Sequence, residues 1–220
     1  FKAAAADSEA KGDDLVVTNS LEMDDSGRFF ILTGANNGGK TTFLRGAGLC
    51  FLMAQTGFYA PAAACVISPC DFIFTHFPKE EETGINASRF TTEIKDLKII
   101  SDLVSENSLL LMNESIQSTT PKECAEIAGE ITRIFCIIGV RGIYATHITE
   151  LALMCDDITA DPDCRSVPVS IVATVDEESG KRLYKIKRGQ PLKQSYAMDI
   201  FNSFGINSEN IRKRVHNNQL

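Results

Sequence analysis

Short runs of consecutive apolar residues alternate along this chain with longer stretches in which apolar residues recur every three or four positions. Phe29–Thr33 and residues 108–112 are such runs, and their lack of polar alternation is typical of parallel strands buried on both faces. The pattern predicts helices over 40–57, 90–104, 121–138 and 149–155, and strands over 29–33, 64–68, 72–77, 108–112, 142–146, 167–175 and 182–187. This alternation predicts an α/β fold with a mainly parallel central sheet flanked by helices.

Local signals refine two of these elements. Thr120, Pro121 and Glu123 combine a capping box with a proline at the first helical position, so a helix is expected to begin there. Residues 178–180, with the sequence Glu-Ser-Gly, separate two strand patterns and therefore predict a β-hairpin.

The stretch 46–70 contains no charged residue and is long enough for a membrane span. Gly57 and Pro61 interrupt it, so we expect a buried helix–turn–strand unit and no membrane partner. Its strand at 64–68 is expected to continue into the strand at 72–77.

Composition divides the chain into three parts. Residues 1–14 are Ala-rich and then charged, and because the chain begins at Phe1 we expect a disordered leader or a remnant of a preceding domain. Residues 15–191 carry the α/β pattern. Residues 192–220 contain two helical patterns around Gly205, which predict a helix–turn–helix extension.

The charge balance narrows the possible partners. The chain has 22 basic and 29 acidic residues and a formal charge of −7, which argues against binding nucleic acid or anionic membranes by charge alone. Its seven cysteines include no C-x-x-C pair and no neighbouring histidine at metal-ligand spacing. We therefore expect a reducing, cytoplasmic compartment in which the thiols act mainly as small core residues.

The segment 34–42 satisfies the pattern G-x-x-x-x-G-K-[ST] between a predicted buried strand and a predicted helix, which is the context this pattern requires. Its glycines allow successive backbone N–H groups to face inward, and the following helix adds its positive end. Lys40 is expected to contact the β- and γ-phosphates of ATP, and the Thr41 hydroxyl to bind Mg²⁺. The predicted nucleotide-binding residues of this loop are Gly34, Ala35, Asn36, Asn37, Gly38, Gly39, Lys40, Thr41 and Thr42.

Polar residues follow two of the predicted strands. After the run 108–112, Glu114 is expected to orient or deprotonate the attacking water and to hold Mg²⁺. Asn113 is expected to bind the metal through a water molecule. Because an amide carries no negative charge, we expect weaker Mg²⁺ binding than with aspartate. His147 follows the strand at 142–146, where ligands bind in open α/β sheets. It is expected to sense the γ-phosphate or hold the attacking water, and a structural histidine is the alternative.

Together these motifs resemble the ATPase domain of the MutS family of DNA mismatch-repair proteins. The shared motifs, in the family's order and spacing, are GANNGGKTT at 34–42, SRFTTEI at 88–94, LLLMNES at 109–115 with STT at 118–120, and YATHITEL at 144–151. The resemblance covers residues 15–216. It implies a P-loop NTPase of the ABC-ATPase type that forms a homodimer in which each site is completed across the interface.

The resemblance also implies roles for individual residues. Ser88 matches the family serine that reaches the γ-phosphate held by the partner subunit, so it is expected to act in trans. Glu93 matches a glutamate on the same helix. Thr119 and Thr120 match a loop that communicates between the two sites, and His147 matches the family's switch histidine.

At the base-binding end, Asn19 matches a family residue near the adenine. Val16 occupies the position at which the family often has an aromatic ring. Residues 192–220, which include Ser195 and Tyr196, resemble the family's dimerising extension. The chain lacks the family's mismatch-reading, lever and clamp domains, so DNA is expected to bind through domains absent here.

The chain departs from the family pattern at several positions, and these departures keep alternatives open. Asn113 replaces the usual aspartate, Ala35 the usual proline, and residues 116–118 a stretch that usually contains glycine and arginine.

The leading hypothesis is a slow, Mg²⁺-dependent ATPase that couples nucleotide state to dimer rearrangement and DNA binding. One alternative is a nucleotide-gated clamp that binds ATP with little hydrolysis. Another is an ABC-type ATPase of a different system, although residues 84–88 do not match its LSGGQ-like signature.

Overall fold

The computed structural model of the chain describes residues 2–4, 16–77, 86–176 and 181–191, together with positions 204 and 212. In chain order its elements are β1 (Lys2–Ala4), β2 (Leu21–Glu22), β3 (Phe29–Thr33), α1 (Lys40–Gln55), β4 (Ala64–Val66), β5 (Ile73–His76), α2 (Asn86–Leu103), β6 (Leu109–Asn113), α3 (Pro121–Ile138), β7 (Arg141–Ala145), α4 (Thr149–Leu153), α5 (Cys155–Thr159), β8 (Pro168–Val175) and β9 (Arg182–Arg188). Strands and helices alternate from β3 to β8, as the apolar pattern predicts.

A six-stranded sheet with the order β5-β6-β7-β3-β8-β9 forms the centre of the fold. All neighbouring strands in it are parallel except β9, which pairs with β8 in the antiparallel direction. Every residue of β3, β6 and β7 is buried, which explains their uninterrupted apolar runs. The predicted α/β fold with a mainly parallel sheet and the two arms of the predicted hairpin are confirmed.

Alternate residues of the central strands pack into two hydrophobic clusters, one on each face of the sheet. On one face Phe29 lies in a cluster with Phe135 of α3, and their stacked rings have centroids 6.5 Å apart. On the other face Phe30 lies in a cluster with Leu44 and Phe51 of α1. Both helices are thereby fixed against the sheet, and α1 begins at the carboxyl end of β3.

Helix α3 shows how local chemistry sets an element's bounds. Its start carries a capping box between Thr120 and Glu123, with Pro121 in the first turn. Its end is Gly139, whose φ of 90° is the left-handed conformation that suits a glycine cap. The observed bounds equal the predicted ones.

The predicted continuity between the strands at 64–68 and 72–77 is wrong. Strand β4 belongs to a separate three-stranded sheet with the order β2-β1-β4, whereas β5 pairs with β6 in the central sheet. The chain changes direction between them, where the amide of Cys70 donates to Gln55 Oε1 and the amide of Asp71 donates to Asn107 O. These contacts tie the connecting segment to α1 and to the loop before β6.

Within the segment 1–14, predicted to be a disordered leader or a remnant of a preceding domain, residues 2–4 form β1. This strand pairs with β2 and β4, so backbone hydrogen bonding orders an Ala-rich run that has no apolar periodicity. The rest of the predicted leader, residues 5–14, lies outside the described residues.

The expectation that 46–70 forms a buried unit is only partly correct. Helix α1 buries one face, but the segment exposes large apolar side chains at Leu49, Leu52, Phe58, Tyr59 and Val66. An absence of charge therefore does not mean burial here. Within the described part of the chain, no helix is both long enough and apolar enough to cross a membrane.

Two further predictions concern the second half of the chain. The helix predicted over 149–155 is instead the pair α4 and α5, which meet at Met154. The helix–turn–helix predicted within 192–220, including Ser195 and Tyr196, lies outside the described residues apart from positions 204 and 212.

Candidate nucleotide site

The loop between β3 and α1 curves around an open centre at the carboxyl end of the sheet. Gly34 has a φ of 135°, and a Cβ there would lie 2.9 Å from the Cβ of Ala173, so a side chain fits neither the backbone nor the space. Gly39 adopts φ 87° immediately before α1 and provides no side-chain cap. The first-turn N–H groups of α1 therefore have no capping side chain and can bind an anion.

Lys40 is buried to 5% exposure and folds back on this loop. Its Nζ donates to Gly34 O at 2.9 Å and to Ala35 O at 3.3 Å, and lies 3.9 Å from Glu114 Oε1. Burial lowers the pKa of the Lys40 ammonium, and the charge of Glu114 opposes that effect. A phosphate group at this position would favour the charged form of Lys40 further.

Glu114 and His147 meet beyond the carboxyl ends of β6 and β7. His147 Nε2 lies 2.8 Å from Glu114 Oε1, and both ring nitrogens of His147 lie 3.5 Å from Lys40 Nζ. Gln117 Nε2 donates to the other carboxylate oxygen of Glu114 at 2.5 Å. The two residues predicted to be catalytic are therefore adjacent to each other and to the lysine of the loop.

Thr41 and Asn113 also lie together, since Thr41 Oγ1 donates to Asn113 Oδ1 at 3.0 Å. With the carboxylate of Glu114 they present hydroxyl, amide and carboxylate oxygens, the ligand type that Mg²⁺ prefers. No group of three or more His, Cys, Asp and Glu side chains in the described ranges is arranged to hold a metal. By ligand type, the oxygens of Thr41, Asn113 and Glu114 fit Mg²⁺.

A cavity of about 1340 Å³ opens from the loop along α1. The predicted residues that line it are Val16, Asn19, Asn36, Asn37, Gly38, Gly39, Lys40, Thr41, Thr42, Glu114 and His147. Gly34 and Ala35 contribute carbonyl groups to Lys40 instead. The volume leaves room for a base and a ribose beyond the phosphate loop.

Asn19 occupies this cavity wall, but both ends of its amide are bound to strand β9. Its Nδ2 donates to Tyr184 O at 2.9 Å, and its Oδ1 accepts from the backbone N–H of Ile186 at 2.7 Å. The side chain of Asn19 therefore makes the kind of hydrogen bonds to the backbone of β9 that a neighbouring strand would make. Its role in the structure is to hold the segment 16–19 beside the cavity.

Three residues at the site were missed by the sequence reasoning. Tyr184 is 47% exposed, lies against Gly39 and lines the cavity next to the segment 16–19. Arg182 Nε donates to Asn36 O at 2.6 Å, and Gln117 binds Glu114. The aromatic residue in β9 was a visible signal for Tyr184, although the direction of its ring depends on the strand's register.

The other predicted residues lie around the site or outside it. Glu93 Oε1 accepts from Ser118 Oγ at 3.4 Å, so α2 contacts the loop that follows Glu114. Thr119 and Thr120 donate to Glu123 at the start of α3. Ser88 belongs to the first turn of α2, and its side chain lies outside the described residues.

Comparison with known proteins agrees with these features. A profile of the family described as MutS domain V matches residues 30–219. The DNA mismatch repair protein MutS of Thermotoga petrophila is 35% identical over 135 residues, which are 61% of this chain and 17% of that protein. MutS of Thermotoga neapolitana is 36% identical over the same length and coverage. The matched part of the chain thus spans about one sixth of the length of these relatives, and the chain belongs to the MutS family as a MutS domain V.

Proposed function

We propose that this chain is the ATP-binding and ATP-hydrolysing domain of a MutS-like DNA mismatch repair protein, and a P-loop NTPase of the ABC-ATPase type. The observation that carries the proposal is the convergence of Lys40, Glu114 and His147 at the mouth of the loop cavity. An anion-binding loop and a general base are parts that phosphoryl transfer to water uses, and the histidine beside both can sense the γ-phosphate or hold the attacking water.

ATP binding begins with an exchange of hydrogen-bond partners at Lys40. Its ammonium leaves the carbonyl groups of Gly34 and Ala35 for the β- and γ-phosphate oxygens. The first-turn N–H groups of α1 bind the same phosphates, and the segment 16–19 with Tyr184 holds the base. Because Lys40 moves toward the phosphate, its contacts with Glu114 and His147 change with the nucleotide state.

Glu114 then accepts a proton from the attacking water. Its carboxylate is held by the N–H of His147 on one oxygen and by the amide of Gln117 on the other. Thr41, Asn113 and Glu114 would hold Mg²⁺, and the bound ion supplies charge that neutralises the phosphate oxygens. The uncharged Asn113 makes this site weaker than a site with two carboxylates, which fits slow turnover.

The proposal extends to assembly. Two copies form a homodimer, Ser88 acts in trans, and residues 192–220 provide a helical dimerising extension to an ATPase domain of residues 15–191. The nucleotide state changes the arrangement of the two subunits, and this rearrangement alters DNA binding by domains outside this chain. The protein acts in the cytoplasm. Two findings support this assignment: the chain belongs to the MutS family, and the relatives it matches are DNA mismatch repair proteins.

ATP turnover by the purified chain with Mg²⁺, measured over a series of protein concentrations, tests the proposal. We expect turnover per chain to rise with concentration, because each site is completed by the partner. Glu114→Gln keeps the size of the side chain and removes the base, so its turnover is expected to disappear while ATP still binds. Glu126→Gln, at an exposed position on α3, is the matched control and is expected to behave as wild type.

A second candidate function is a nucleotide-gated clamp that binds ATP with little hydrolysis. It is favoured by Asn113 at the metal position and by the engagement of both carboxylate oxygens of Glu114. Tight ATP binding with wild-type turnover no higher than that of Glu114→Gln would decide for the clamp. Absence of ATP binding would contradict both functions.

A further inference from the structure

The backbone around Glu114 is strained. Glu114 has a φ of 50° and Ile116 a φ of 61°, which is the left-handed region that side chains other than glycine rarely adopt. Among the described residues only four that are not glycine have a positive φ, and the other two, Asn37 and Tyr184, also line the cavity. Such strain persists only where surrounding contacts hold it, and it concentrates at functional sites.

Ser115, between the two strained residues, is held by side chains from two other strands. The hydroxyl of Tyr144 in β7 donates to Ser115 O at 2.5 Å. His76 Nδ1, at the end of β5, lies 2.6 Å from Ser115 Oγ. Tyr144 is fully buried and His76 is 8% exposed, so water does not replace these bonds easily.

Two further contacts hold the turn formed by residues 114–116. The backbone N–H of Glu114 donates to Ala145 O at 2.8 Å. The side chain of Ile116 is fully buried in the hydrophobic cluster that contains Tyr144. Burial raises the pKa of the Tyr144 hydroxyl above its ordinary value, so the hydroxyl remains a hydrogen-bond donor throughout the working pH range.

We propose that Tyr144 and His76, acting through Ser115, are positioning residues that hold the strained turn and so fix the Glu114 carboxylate beside His147 and Lys40. Tyr144 is well placed for this, because it lies on the strand that leads to His147. One bond from β7 thereby aligns the ends of β6 and β7 with each other. The inference rests on the proposed role of Glu114 as the base.

The decisive variant is Tyr144→Phe, which removes one hydroxyl and keeps the ring in the core. We expect kcat for ATP hydrolysis to fall about tenfold with KM unchanged, because the base is displaced from the attacking water while the phosphate loop is untouched. Ser115→Ala, which removes the contact with His76, is expected to lower kcat by a smaller factor. Amide hydrogen exchange at Glu114 and Ile116 is expected to become faster in both variants.

Ser166→Ala is the matched control. It removes another buried hydroxyl, which donates to Val140 O at 2.8 Å at the opposite end of β7. We expect it to lower stability about as much as Tyr144→Phe does and to leave kcat and the exchange of Glu114 unchanged. A merely structural role of Tyr144 predicts equal effects of the two variants on kcat.

Two outcomes overturn the inference. One is an unchanged kcat in Tyr144→Phe when the wild type is active, and the other is unchanged exchange of the Glu114 and Ile116 amides. If the wild-type chain binds ATP without hydrolysing it, the hydrolytic part of the proposed function fails, and amide exchange alone then decides whether Tyr144 holds the turn. The two failures are therefore distinguishable.

Discussion

Nε2 of His147 lies 2.8 Å from Oε1 of Glu114, across the gap between the carboxyl ends of the adjacent strands β7 and β6. The parallel register that pairs Asn113 with Ala145 sets this contact, because it brings the residues after both strands to the same level. Lys40 reaches the same carboxylate oxygen from the phosphate loop. Three elements therefore meet at one carboxylate, and a phosphate that attracts Lys40 alters the surroundings of the other two residues.

Tyr184→Ala is expected to weaken ATP binding about tenfold, since stacking of a base on an aromatic ring contributes about 1–3 kcal/mol. Tyr184→Phe keeps the ring and is expected to bind ATP as the wild type does. Titration calorimetry with ATP measures the difference. Inorganic triphosphate, which has no base, is expected to bind all three proteins equally.

The control for this comparison is Leu183→Ala, because Leu183 is the preceding residue of β9 and is similarly exposed. Its ATP affinity is expected to match the wild type. Equal losses in Leu183→Ala and Tyr184→Ala would show that β9 as a whole, rather than the ring of Tyr184, is responsible.

Asn19→Ala is expected to lower the free energy of unfolding by about 1–3 kcal/mol, because it leaves the Tyr184 carbonyl and the Ile186 N–H without their partner. Urea denaturation measures this change. ATP affinity is expected to fall as well, since the segment 16–19 lines the cavity. Ser20→Ala, at an exposed position, is the control, and an Asn19→Ala protein as stable as this control would contradict the role of Asn19.

The parts of the fold with strong local signals could be predicted from the sequence. Helix α3 has a capping box and a terminal glycine, and both bounds were predicted correctly. The phosphate loop, Glu114 and His147 follow buried strands, so their meeting at one edge of the sheet could also be inferred. In these cases the chemistry that fixes the element lies within a few neighbouring residues.

The rest depends on contacts between distant segments. Arg141 opens a buried strand, and its guanidinium is accommodated by the carbonyl groups of Ser68, Pro69 and Asn107, which no local pattern reveals. The position of Tyr184 depends on the pairing of β9 with β8, including an irregularity in its register. Ile116 gives no turn signal, because a β-branched residue normally avoids positive φ.

Asn113→Asp is expected to lower the Mg²⁺ concentration for half-maximal turnover about tenfold, because a carboxylate adds charge beside Thr41 where the amide has none. Turnover at limiting Mg²⁺ is expected to rise accordingly. Asn107→Asp adds the same charge before β6, at the opposite end of that strand, and serves as the control. If Asn113→Asp and Asn107→Asp have the same Mg²⁺ dependence, missing charge at position 113 does not limit this site.

The strain at Ile116 predicts a reversal of the usual order of alanine and glycine. Truncating this fully buried side chain costs about 2–5 kcal/mol in either variant. Alanine still has to adopt a φ of 61°, at a cost of about 1–2 kcal/mol, whereas glycine adopts it freely. Ile116→Gly is therefore expected to be at least as stable as Ile116→Ala in urea denaturation.

In helix α5 the equally buried Ile158 provides the comparison, and there the glycine variant is expected to be less stable than the alanine variant by about 1 kcal/mol. The same order at both positions would mean that the backbone of Ile116 is not strained, and the contacts of Tyr144 and His76 would then have no strained turn to hold.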